Sequence, residues 1–101
     1  MAAYTLAPAG GPLGVNKTLS GTTADTITVG PYDRYRLIVL NRSTATIYFR
    51  PDGVTAVAAA DGTVPVPAGV AFDWNESGTT VVSVVGSGDA YSVVAIPRGS
   101  E

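Results

Sequence analysis

The sequence contains neither cysteine nor histidine. Without cysteine there are no disulfides and no thiolate metal sites, so a chain this small must be held by packing or by association with other chains. Without histidine the commonest general base and the commonest transition-metal ligand are missing, which excludes most hydrolase and metalloenzyme schemes. We therefore expect no enzyme activity, no cofactor and no bound metal. Charge is also scarce, at 14% of residues with a formal net charge of −2. Nucleic-acid backbones are bound by clustered Lys and Arg, so nucleic acid is not an expected partner. No apolar run reaches membrane-spanning length, and Met1-Ala2-Ala3-Tyr4-Thr5 lacks the basic and then apolar regions of a secretory signal. The expectation is a product made in the cytoplasm with no membrane partner.

What the chain does contain is sheet and turn chemistry. Hydrophobic residues make up 46% of its 101 residues, dominated by Val and Ala, with Thr abundant and 12 Gly and 7 Pro scattered throughout. β-Branched residues fit a pleated surface, and Gly and Pro punctuate turns. The composition is too apolar for disorder and under-charged for a solitary domain, which points to surface hidden against a partner.

Residues 1–15 have no period: Pro8, Gly10, Gly11, Pro12 and Gly14 separate the isolated apolar residues Tyr4, Leu6, Leu13 and Val15. The reading is an extended N-terminal arm that lies on a neighbouring subunit, followed by one β domain over residues 16–101. Thr26-Ile27-Thr28-Val29 alternates. Tyr35 to Leu40 is a nearly continuous apolar run, expected to be buried on both faces. Ile47 and Phe49 point inward against Tyr48 and Arg50, ahead of a Pro51-Asp52-Gly53 turn. Val54 to Ala60 reads as a weak strand or a helical turn. Pro65 and Pro67 confine Thr63 to Pro67 to a sheet edge or corner. Val70 to Trp74 alternates, and Thr79 to Val85 followed by Ala90 to Ile96 reads as a hairpin with a Gly-rich loop. The sum is an all-β fold of about 7–8 short strands, a small β-sandwich or barrel of jelly-roll or Greek-key type.

Candidate chemistry is sparse. Asp73 and Glu76 flank Trp74 as a carboxylate pair near a sugar-binding ring would, but also as residues of a polar turn. Asp52 and Asp61 precede glycines without the spacing of a calcium loop. Gly86-Ser87-Gly88 lacks the Lys and helix of a phosphate cradle. All three Asn residues, Asn16, Asn41 and Asn75, sit in N-x-S/T triplets, which turn preference explains. The order of charges is more informative. Arg34, Arg36, Arg42 and Arg50 crowd residues 33–50 against Asp33 alone, whereas residues 51–97 hold five acids and no Lys or Arg. Separate basic and acidic patches suit a contact in which one subunit meets the next. Solvated turn charges are the alternative.

The stretch Val39-Leu40-Asn41-Arg42-Ser43-Thr44-Ala45-Thr46-Ile47-Tyr48-Phe49-Arg50-Pro51-Asp52-Gly53, then Val64-Pro65-Val66-Pro67-Ala68-Gly69 and the ending from Thr80 to Val94, resembles small virion proteins of tailed bacteriophages. Over residues 36–97 the resemblance implies a capsid decoration, or cement, protein. Such a protein sits as a homotrimer on the outside of the head, binds the major capsid protein and stabilises the shell. On that reading Tyr4, Leu6, Leu13, Val15, Arg34, Tyr35, Arg42 and Trp74 contact partners. The alternatives are a carbohydrate- or receptor-binding module at a fibre tip, with Tyr32, Tyr35 and Trp74 as a stacking platform, and a tail or head-completion protein.

Overall fold

The computed structural model describes residues 2–6, 13–30, 34–76 and 80–97. These form nine strands and no helix: β1 (Ala3–Leu6), β2 (Gly14–Thr18), β3 (Asp25–Val29), β4 (Tyr35–Asn41), β5 (Ile47–Arg50), β6 (Val64–Val66), β7 (Ala71–Glu76), β8 (Thr80–Val85) and β9 (Ala90–Pro97). They make a β-sandwich of a five-stranded sheet ordered β1-β3-β8-β5-β6 and a four-stranded sheet ordered β2-β9-β4-β7. β1 pairs parallel with β3, and every other pairing is antiparallel.

Alternation explains which faces meet. Ile27 and Val29 of β3, Ile47 and Phe49 of β5, and Val82 and Val84 of β8 face Leu37 and Val39 of β4 and Tyr91, Val93 and Ala95 of β9, all almost fully buried. Each large apolar side chain of this set stabilises the fold by roughly 2 kcal/mol. The Pro-containing strand β6 lies at the edge of its sheet, as its missing donors demand.

Three expectations are corrected. The N-terminal segment is not an arm lying on a neighbour, because its described parts are built into the domain itself. β1 and β2 are strands of the two sheets, and Leu6 is fully buried in the common core. Isolated apolar residues sufficed because each of these strands needs only one or two inward positions. Second, β8 and β9 do not form a hairpin: β8 pairs with β3 and β5, and β9 with β2 and β4. The Gly86–Asp89 link crosses between the sheets. Its backbone is held by the loop after β2, through Leu19 N to Asp89 O at 2.9 Å and Gly88 N to Gly21 O at 2.8 Å. Third, β4 is covered on one face only. Tyr35, Leu37 and Val39 are buried, whereas Ile38 and Leu40 remain half-buried on the outer face.

One buried polar pair ties the sheets together. Asp25 of β3 is 1% exposed and accepts a 2.7 Å hydrogen bond from the Tyr91 hydroxyl of β9. Burial, and then this bond to the carboxylate, hold the Tyr91 hydroxyl neutral well above the usual tyrosine range. Below a pH of about 10 tyrosine is protonated in both folded and unfolded chains, so the contribution is complete there. Above it the unfolded chain releases a proton that the folded one keeps, and stability falls by up to about 1.4 kcal/mol per pH unit. Urea melts between neutral and strongly alkaline pH are expected to show this added slope, and Tyr91→Phe is expected to remove it. Equal slopes in both proteins would contradict the assignment.

Candidate protein-contact surfaces

The connection from β5 to β6 runs from residue 51 to residue 63 although it joins two paired neighbours. Hairpin loops usually need about 2–5 residues, and longer ones tend to carry function. Pro51-Asp52-Gly53 does turn the chain, with Gly53 at φ 82°. Arg50 donates to Asp52 from Nε at 3.1 Å and from Nη2 at 2.6 Å, fixing the start of the loop. The chain then runs as a strap over the outside of the five-stranded sheet, where Ala56 N bonds Ser83 Oγ at 2.8 Å and Ala56 packs with Ala24 and Val85. It is neither a strand nor a helical turn. Anchored by Ala56, the strap turns Val54 and Val57 to solvent, 48% and 60% exposed, beside exposed Ala58 and Ala59. Ala59 sits at φ 58°, a left-handed conformation costing a non-glycine residue about 1 kcal/mol. Thr22, Ala24, Thr55 to Ala58, Val85 and Gly86 line a shallow hollow of about 390 Å³ beside it.

The opposite side of the sandwich is different. Register places Ile38 of β4 opposite Val94 of β9, Leu40 opposite Ala71 of β7, and Arg36 opposite Ile96. The outer face of the four-stranded sheet therefore carries a diagonal of Ile96, Val94, Ile38, Leu40 and Ala71. Ile96 is 40% exposed, and Ile38, Leu40 and Val94 are half-buried. The corresponding face of the other sheet presents Thr5, Thr26, Thr28 and half-buried Val81, with Ser83 and Val85 buried beneath its strap.

Polar groups flank the diagonal. On one side Arg36 Nε donates to both oxygens of Asp73, at 2.8 and 2.7 Å, and Nη2 adds a further contact. On the other, Arg42 donates from Nε to Ser92 Oγ at 2.7 Å and from Nη2 to Tyr91 O at 3.0 Å, and Ser92 Oγ donates to Asn16 Oδ1 at 2.6 Å. These bonds correct the expected separation of charge. Arg36 from the basic half pairs with Asp73 from the acidic half, and Arg50 with Asp52.

The expected contact residues do not converge on one surface. Leu6 and Tyr35 are fully buried in the core and cannot meet a partner. Tyr4 is half-buried with the Lys17 ammonium 4.7 Å from its ring centre. Val15 packs against the core, Arg42 is occupied as described, and Leu13 and Arg34 are exposed at different places. Trp74 is half-buried, edge-on to Phe72 with ring centres 6.3 Å apart, and Phe72 in turn meets Phe49 at 5.2 Å. The sugar platform is corrected with them: Tyr35 is inside, and Tyr32 lies outside the described residues. Asp73 is held by Arg36, and among the described residues no group of three metal-ligating side chains forms. No helix of the described residues is long and apolar enough to cross a membrane.

The fold class is thus a small two-sheet β-sandwich. The pre-peptidase C-terminal domain of a collagenase from Bacillus anthracis has a similar structure, with a TM-score of 0.51, 14% identity and coverage of 92% of this chain and 93% of that one. At that identity the likeness concerns the fold alone. No protein-family model matches the chain, and no curated protein sequence does.

Proposed function

We propose that the chain is a structural virion protein that binds the outside of a tailed-bacteriophage capsid and reinforces it by protein–protein contact. The observation that carries this reading is the strap over residues 51–63. It is longer than its hairpin requires, seated on the sheet through Ala56, and presents Val54 and Val57 outward. Valines held in solvent on an anchored loop are a ready-made docking element, and the backbone strain at Ala59 belongs to that element. The resemblance to decoration proteins runs directly into the strap at Tyr48 to Gly53 and resumes after it at Val64. A contact of modest area, repeated over many sites of a shell, fastens it without great affinity at any one site.

The double variant Val54→Asp, Val57→Asp tests this, because both side chains are exposed and the sandwich does not depend on them. The wild-type chain is expected to co-sediment with shells stripped of their decoration, and the variant to lose at least about tenfold in occupancy while melting like the wild type. Equal occupancy of the two proteins would overturn the reading.

A further inference from the structure

We propose that the outer face of the four-stranded sheet is a self-association surface, on which a second copy of this chain stacks face to face about a two-fold axis. The inference goes beyond the capsid reading and uses the side of the sandwich opposite the strap.

Three observations carry it. The first is the mismatch between sequence and exposure on β4 and β9. Both strands are apolar at alternate positions of either parity, the pattern of strands covered on both faces, yet only one face is covered within the chain. Ile38, Leu40, Val94 and Ile96 supply a continuous aliphatic surface that a second layer would bury.

The second is charge. The charged groups on this face include Arg36 and Asp73, bonded to each other, and Arg42 at one corner, turned onto Ser92 and the Tyr91 carbonyl, with exposed Arg34 just before the start of β4. The Arg36–Asp73 pair beside the diagonal cancels and the diagonal itself is aliphatic, so an identical face approaching it meets no acid or base along that line. A partner recognised by charge would need an unbalanced patch, and the middle of this face has none. A second copy fits this neutrality, because a two-fold axis lays apolar diagonal on apolar diagonal and polar flank beside polar flank.

The third is shape. Gly14 of β2 stands opposite Val94, and a Cβ there would lie 3.1 Å from Val94 Cγ2. Its absence keeps the margin of the face low. Sheets pack at about 10 Å with their strands within about 30° of alignment, a geometry that a second sandwich can supply from outside. Four strands at about 4.8 Å spacing give a face only about 19 Å wide. An interface of this size is a weak one, so the dimer should dissociate on dilution. Two-fold stacking differs from the three-fold assembly that the resemblance to decoration proteins implies.

Sedimentation velocity over a concentration series tests the proposal directly. Wild-type protein is expected to shift from monomer to dimer as concentration rises. Ile38→Lys and Val94→Lys, placed on the outer face away from the core, are expected to remain monomeric at every concentration. Thr28→Lys, on the outer face of the other sheet, should dimerise like the wild type. Arg36→Glu provides a second route if a lysine substitution perturbs folding. It sets two acids side by side on each face, and should weaken the dimer at least about tenfold at low salt, with recovery as added salt screens the repulsion. A wild-type monomer throughout the series, a trimer, or a dimer untouched by Ile38→Lys and Arg36→Glu would overturn the proposal. None of these results depends on shell binding, so failure here and failure of the capsid reading are separate outcomes.

Discussion

Replacing Asn41 with alanine is expected to lower the unfolding free energy by about 3 kcal/mol, because one fully buried side chain there serves both sheets. Its Nδ2 donates to Val66 O at 2.8 Å and Ala45 O at 2.6 Å, while Oδ1 accepts from Ser43 N at 2.9 Å and Ser43 Oγ at 2.7 Å. The backbone of Asn41 is also engaged, donating to Val70 O and accepting from Gly69 N. The residue thus joins the end of β4 in one sheet to β6 in the other and closes the turn over residues 42–46. Alanine would leave the Val66 carbonyl without this donor in a buried position. Asn41→Asp should cost more than Asn41→Ala, since it keeps the volume but directs an anionic oxygen at two carbonyls. Urea unfolding of the two variants checks both the size and the order. A loss below about 1 kcal/mol for Asn41→Ala, or a milder effect for Asn41→Asp, would show that the turn is held by other groups.

Leu6→Ala should cost about 3 kcal/mol, the usual range for emptying a buried leucine site. Leu6 is fully buried, pairs in register with Val29, and its carbonyl accepts from Gly30 N at 2.6 Å. The prediction separates two pictures of the N-terminus. An arm lying on a neighbour would leave the stability of a dilute monomer unchanged by this substitution, whereas a core strand would not. Thermal or urea unfolding at a concentration too low for association distinguishes them.

Much of the fold was readable from local pattern. The alternation of Thr26 to Val29 marked a strand, that of Thr46 to Arg50 gave Ile47 and Phe49 as the inward residues, and of the edge or corner that the prolines allowed, Val64–Val66 takes the edge. Which sheet each strand joins was not readable. Of the successive pairs, only β5 and β6 are hydrogen-bonded neighbours, and all other links pass from one sheet to the other. A Gly-rich loop can close a hairpin or span a sandwich, and the choice rests on partners such as Leu19 and Gly21 that lie far away in sequence.

The contact surfaces were less legible. Arg36 and Asp73 are 37 residues apart, so their pairing is invisible until β4 and β7 lie side by side. The strap was hidden because Asp52-Gly53 looks like the end of a tight turn. One signal did exist for the bare face. The apolar run from Tyr35 to Leu40 called for cover on both sides, and Val94 and Ile96 repeated that demand on the adjacent strand. What sequence could not show is that only one side finds cover within the chain.

Electron microscopy of an intact particle, locating the chain on it, tests the proposed attachment to a phage shell by contact alone. Many copies are expected at equivalent positions over the outer surface, each with residues 51–63 against the major capsid protein. A few copies confined to a tail or a single vertex, or copies seated with the strap facing solvent, would contradict it.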